Sequence, residues 1–239
     1  MSTSFRPAYP HGPLAEIFDD VFVVTGRIAM MPGMAIGRSM TVVRNHKREL
    51  TLINSVRLDH EGERELGKLG EVKHLVRLGW FHGADDPYYM SKYAPKFWSG
   101  ERMVPVNVDA GARNDLVEGP SELGQVFCFR GGRYDEAALV LDKAGGVLVT
   151  CDSVQHNIDT RGSSLLGGLM LRAMGLVGGT KLGGPWLRQI TRGKPEKMRD
   201  DFRRLTSLPF KHLIAGHGAP LREVAHEQVK AAVAARLGP

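Results

Sequence analysis

Three apolar runs in the chain each end in side chains able to bind a metal ion. VKHLVRL, from Val72, leads through Gly79 to WFHGADD with His82, Asp85 and Asp86; GGVLVT leads to Cys151, Asp152 and His156; FKHLIAG leads to His217. Strand ends hold their residues at fixed backbone positions. The loops beyond them can approach one another across a sheet edge and gather imidazole and carboxylate groups around a cation. Taken singly, each residue has a plainer role, since aspartates cap turns and histidines make structural hydrogen bonds. The threefold recurrence is what marks a candidate site. Other chemistries are poorly matched. GGTK at Gly178 places Thr180 before Lys181, the reverse of the order in a phosphate-binding loop. HEQVK at His226 lacks the second histidine of a zinc-protease helix. Cys151, with Asp152 beside it and His156 nearby, is expected to be a small buried residue and not a nucleophile.

The elements that must position these residues can be read along the chain. VFVVTGRIAM from Val21, TVVRN from Thr41 and LTLINSVRL from Leu50 are β-rich and bounded by turn residues. GERELGKLG from Gly62 then predicts a short helix, and VKHLVRL a further strand. A polar connection from Val106 to Pro120 leads to QVFCFRG, EAALVLD and GGVLVTCD, the last two joined by a hairpin turn at Lys143-Ala144-Gly145-Gly146. Met198, Phe202 and Leu205 share one helical face, as do Leu221, Ala225, Val229, Ala232 and Val233, with Gly238 as a stop. Strands interrupted by a helix and followed by helices predict a layered α/β domain. Residues 1–13 read as an extended arm and 14–239 as a single domain.

Composition bounds the function. Hydrophobic residues at 42% against charged residues at 24% can build a core and argue against a disordered chain. The most apolar helical run, from Ser163, is broken by Arg172 short of the roughly 18 residues of a membrane span. MSTSFRPAYPHGP has no apolar region after Arg6, so it does not read as a signal peptide, and a cytoplasmic protein is expected. Two cysteines, far apart, signal neither a disulfide framework nor a cysteine-built metal site. A net charge of +6 permits attraction to anions. The basic tract from Arg188 to Arg204 is nevertheless diluted by Glu196, Asp200 and Asp201, the pattern of a solvated helix face, so no nucleic-acid partner is expected. Seven aromatic residues between Trp80 and Trp98 suit either a core or the wall of a substrate pocket. Arg130 and Arg133 are candidates for holding an anionic group, with ordinary surface placement the commoner outcome. The glycine-rich segment from Gly168 reads as a helix and loop, with a lid or a homodimer contact as its functional alternative.

LTLINS, the helix and strand leading to HGADD, the hairpin EAALVLDKAGGVLVTCDS and the late IAGHGAP together resemble the metallo-β-lactamase superfamily, over approximately residues 20–220 and in that family's order. The resemblance implies a four-layer αββα sandwich with mixed sheets. It places His82 at the first histidine of the HxHxDH motif and Asp86 at its aspartate, Asp152 at the metal-bridging acid and His217 at the last histidine ligand. Three family histidines are replaced, by Ala84, by Pro87 and near Gly132. The implied centre is therefore reduced to one divalent transition metal, zinc first, iron or manganese second, or to none. Two imidazoles with one or two carboxylates suit such an ion and leave a position open for water, which zinc can acidify to a pKa of about 7. Asp86 is the first choice to orient or deprotonate that water if it is not itself a ligand. The expected reaction is hydrolysis of a small-molecule ester, thioester, lactone or phosphoester. The competing reading is a non-catalytic binding or interaction module that keeps the scaffold.

Overall fold

Strand β2 (Val21–Met31) divides its side chains between two cores, Val21 and Val23 on one face and Phe22 and Val24 on the other. That period of two recurs through the computed structural model, which describes residues 5–103, 113–120 and 122–238. The first four residues of the expected arm and residues 106–112 of the expected connection lie outside the described residues.

Among the described residues, seven strands form one sheet in chain order: β1 (Ala15–Phe18), β2, β3 (Met34–Arg44), β4 (Glu49–Ile53), β5 (Glu71–Val76), β6 (Lys96–Ser99) and β7 (Arg113–Asp115). Pairing is antiparallel up to β4 and parallel from β4 onward. A second sheet has the order β13 (His212–Ile214), β10 (Val147–Val149), β9 (Ala137–Leu141), β8 (Gly124–Cys128), with only β10 and β13 parallel. A two-stranded ribbon, β11 (Val154–Asn157) and β12 (Gly179–Leu182), stands apart.

Three apolar layers bind the elements. Val21, Ile53 and Val76 of the first sheet meet Leu139, Val149 and Ile214 of the second. On the outer face of the first sheet, Leu52 and Phe97 pack with Leu66 of helix α1 (His60–Leu69) and Tyr89 of α2 (Asp86–Tyr93). On the outer face of the second sheet, Val140 and Leu148 pack with Leu187 of α4 (Gly184–Thr191), Phe202 of α5 (Arg199–Leu205) and Val229 of α6 (Ala225–Leu237). The result is the expected four-layer αββα sandwich with mixed sheets. Helix α3 (Leu165–Ala173) lies on β3, where Ser164 caps it and accepts from the Ala35 amide at 2.9 Å. No helix of the described residues is long and apolar enough to cross a membrane.

The departures from the predicted elements have local causes. α6 starts at Ala225 and not Leu221, because Leu221 exchanges backbone hydrogen bonds with Leu213 at 2.8 Å. β3 extends back to Met34, turning at Gly33, whose φ of 75° is open to glycine. α2 has no strong apolar stripe; its aromatic residues are split, with Tyr89 buried and Tyr88 and Tyr93 half-buried.

One buried amide joins the two sheets beneath the loops. Asn54, just past β4, donates to the Thr150 carbonyl at 3.1 Å and accepts from the Leu78 amide at 3.2 Å, with φ at 56°. It therefore ties the end of β5 to the end of β10. Asn54→Ala leaves the buried Leu78 amide unpaired, the Thr150 carbonyl keeping the Gly216 amide at 3.0 Å, and places alanine in the left-handed region. A loss of about 2–4 kcal/mol is expected, read as a lowered urea midpoint with unchanged slope.

Candidate metal centre

Asp152 and His217 meet because their strands are parallel neighbours in register. Val149 of β10 lies opposite Ile214 of β13, and each ligand candidate follows three residues later. The loop after β5 arrives from the other sheet. It is sewn to the start of β9 by the Ala137 amide donating to the Leu78 carbonyl at 2.7 Å and by a bridge between Gly79 and Glu136, and this brings His82 over the same spot. Gly216 is needed at this crossing, since a Cβ there would lie 3.1 Å from His82 Cε1 and 3.0 Å from the Cys151 carbonyl oxygen.

The three side chains are buried, at 7, 8 and 8% exposure for His82, Asp152 and His217. The two Nε2 atoms stand 3.1 Å apart; Asp152 Oδ1 is 3.2 Å from His217 Nε2, and Asp152 Oδ2 is 3.6 Å from His82 Nε2. Zinc bonds of about 2.0–2.2 Å set neighbouring atoms of a tetrahedral shell about 3.3–3.6 Å apart, close to these separations. Orientation also fits. His217 Nδ1 lies 2.7 Å from the Gly37 carbonyl, which only accepts, so Nδ1 carries the hydrogen and Nε2 turns its lone pair toward the cluster. The backbone amides of Asp152 and Ser153 both donate to Glu136 Oε1 at 3.1 Å. His82 Nδ1 is buried with no partner among the described residues, so none of these supplies the outer hydrogen bond that would fix its tautomer.

Electrostatics divide the two histidines. Burial, reinforced by the positive charges of His217, Arg38 and Arg77, drives His82 down to about 3 against the attraction of Asp152, so it is neutral at physiological pH. Burial also opposes charge on His217, but a hydrogen bond and charge from Asp152, with the Gly37 carbonyl, raise its pKa. Asp152 is likewise disfavoured as an anion by burial, yet the two imidazoles outweigh this and hold its carboxyl below the usual range. Below Asp152, burial and the Asp152 charge push Glu136 well up. One carboxylate between two imidazole nitrogens is the donor set that a divalent cation would take.

Asp86 does not join this cluster. Its Oδ2 accepts from Arg77 Nε at 2.7 Å and lies 2.5 Å from Nη2, while Oδ1 accepts from the Ser55 hydroxyl at 2.5 Å. Arg77 also donates to the carbonyls of Met103 and Gly83, and a Cβ on Gly83 would sit 1.7 Å from its Nη2. A buried guanidinium therefore neutralises the aspartate expected to bind metal or water. Asp85 is engaged in the same way, by Arg38 and by the Arg57 amide. Among the described residues, the group able to hold a cation is His82, Asp152 and His217.

These three residues open into a cavity of about 380 Å³ lined by Phe81, Met170, Leu171 and Trp186, among others. Of the aromatic run, Phe81 walls this cavity, whereas Tyr89, Phe97 and Trp98 are core. His156 turns to Thr180, 2.9 Å away, and burial raises the Cys151 thiol, so no thiol–imidazole pair forms. Arg130 and Arg133 do not line the cavity; Arg38 does. The only signal for Arg38 in the sequence is a charge within the strand-forming stretch AIGRSMTVV.

Solved structures share this architecture. A metallo-β-lactamase from Erythrobacter litoralis, with β-mercaptoethanol in its active site, superposes with a TM-score of 0.62 at 13% identity, covering 92% of this chain and 95% of that one. The FIM-1 metallo-β-lactamase of Pseudomonas aeruginosa in its mono-zinc form gives 0.58 at 12% identity, over 98% and 99%. A mutant flavo di-iron protein of Thermotoga maritima gives 0.61 at 14%, over 96% of this chain and 62% of that one. No protein-family model and no curated protein matches the chain.

Two substitutions separate the roles of the aspartate and the histidine. Elemental analysis after zinc repletion and desalting is expected to find about one ion per chain, lost in His217→Ala and kept in Asp86→Asn. Arg77→Met, which leaves Asp86 buried and unpaired, is expected to cost about 3–5 kcal/mol in denaturant unfolding.

Proposed function

The chain has the metallo-β-lactamase fold, and from that premise we propose that it is a metal-dependent hydrolase with a mononuclear centre held by His82, Asp152 and His217. The observation that carries this reading is the convergence of two Nε2 atoms and one carboxylate at 3.1–3.6 Å, from three loops far apart in sequence. A bound divalent transition metal, zinc first among candidates, would supply Lewis acidity and an acidified water. The protein's own contribution is orientation and exclusion. The Gly37 carbonyl fixes the tautomer of His217, and Glu136 fixes the backbone that carries Asp152. One carboxylate cancels half of a divalent charge and leaves more electrophilic character than two would, which makes the loss of Asp86 to Arg77 favourable to turnover. Phe81, Leu171 and Trp186 give the cavity an apolar wall that keeps water from the reacting bond and suits an apolar substituent.

The substrate class that fits is a small-molecule ester, thioester, lactone or phosphoester. A non-catalytic module is the second reading, favoured by the unpartnered His82 Nδ1 and by the absence of further ligand side chains at Ala84, Pro87 and Gly132. One assay decides between them. Chromogenic esters, thioesters, lactones and phosphodiesters, each with added zinc, manganese or iron, are expected to reveal metal-dependent turnover that falls at least a hundredfold in Asp152→Ala. Inactivity throughout, together with a Tm unchanged by chelation, would establish the module instead.

A further inference from the structure

Helix α3 turns small residues inward and large apolar residues outward. Gly167, Gly168 and Leu171 are buried, whereas Leu165, Leu166 and Leu169 are 84, 55 and 60% exposed. The glycines permit a close seat on β3, since a Cβ on Gly167 would lie 2.0 Å from the Ala35 carbonyl oxygen. The three leucines belong to none of the apolar cores. They adjoin the tip of the β2–β3 hairpin, where Ser164 Oγ lies 3.2 Å from the Gly33 carbonyl oxygen, Leu166 comes within 3.8 Å of the space beside Gly33, and Met30 and Met31 are exposed. Met30, Met174 and Phe81, each partly in solvent, carry this surface to the mouth of the cavity that holds His82, Asp152 and His217. A continuous apolar patch on a folded surface marks a binding face.

Charge says what the face binds. Residues 21–48 and 160–195, which supply the hairpin and α3, contain no aspartate or glutamate, while 160–195 carry six lysines and arginines. Arg172 follows Leu165 and Leu169 at helical spacings of four and three, and so shares their exposed side of α3. Arg161 stands just before the cap, in an ion pair with Asp159 that is open to solvent. We infer that the hairpin tip and the outer face of α3 dock on an anionic lipid bilayer, with Met30, Met31, Leu165, Leu166 and Leu169 at the acyl boundary and Arg161 and Arg172 among the headgroups. An apolar face bordered by basic side chains is how interfacial helices hold to such surfaces. A second copy of the chain fits worse, because a twofold contact would set two basic faces against each other. A ligand inside the cavity leaves Met31, Leu165, Leu166 and Leu169 uncovered, since none of them lines it. The docking surface stands whether or not the centre hydrolyses anything, and it turns the mouth of the cavity toward lipid.

Co-sedimentation of the full chain with sucrose-loaded vesicles, with chelator present and no substrate, tests this. Vesicles of phosphatidylcholine with about one third phosphatidylserine are expected to bind at least about tenfold more strongly than phosphatidylcholine alone, the scale of two basic side chains near an anionic surface. L165Q/L169Q changes exposed positions where glutamine keeps the helix, and should lower binding to the mixed vesicles at least about tenfold with Tm unchanged. R172Q should narrow the preference for phosphatidylserine. Binding to neither vesicle, equal binding to both, or binding that a folded L165Q/L169Q retains in full overturns the docking surface. So does a protein that ignores vesicles but sediments as a dimer, converted to monomer by L165Q/L169Q, because the face would then belong to a second copy.

Discussion

The parallel pairing of β10 with β13 is the constraint on which the site depends. With Val149 opposite Ile214, two strands of one sheet end at the same height, and Asp152 and His217 follow at equal distance. A slip of β13 by one residue would turn Ile214 out of the core between the sheets. The apolar packing that stabilises the sandwich therefore also specifies the spacing of the ligand atoms. The third member, His82, needs a second constraint, the crossing from one sheet to the other, which Asn54 and the bridge between Gly79 and Glu136 provide.

Around that spot the molecule distributes buried charge in pairs. Arg77 with Asp86 and Arg38 with Asp85 are each buried, and the aspartates are consecutive residues at the start of α2. A buried carboxylate must be matched by a cation of some kind, and for Asp86 that partner is an arginine nine residues upstream. His82, Asp152 and His217 are what remains without an arginine. Asp152 is flanked by two imidazoles, which, unlike a guanidinium, can instead ligate a cation.

Much of the fold is legible in the sequence where a single local rule acts. The β9–β10 hairpin is marked by two apolar runs around Gly145 and Gly146, and α5 by the recurrence of Met198, Phe202 and Leu205. The ends of the apolar runs likewise locate His82, Asp152 and His217. Asp86 shows the limit: motif spacing says which residues sit on a loop, but the partner of a carboxylate depends on whether a guanidinium such as that of Arg77 reaches it. The burial of Arg38 is illegible in the sequence for a related reason. Its polar neighbourhood, Gly37 to Ser39, reads as a break between strands, yet there β3 pairs with β2 on one side and meets the loop after β13 on the other. α2 is not legible in the sequence because its aromatic residues serve two environments and show no single face.

The central claim is that three residues from separate loops hold one ion. Anomalous X-ray diffraction at the zinc edge from zinc-loaded crystals tests it most directly. A single strong peak within bonding distance of His82 Nε2, His217 Nε2 and the Asp152 carboxylate is the expected result. No peak there at full loading, or a peak at Asp86 with Arg77 displaced, would contradict it.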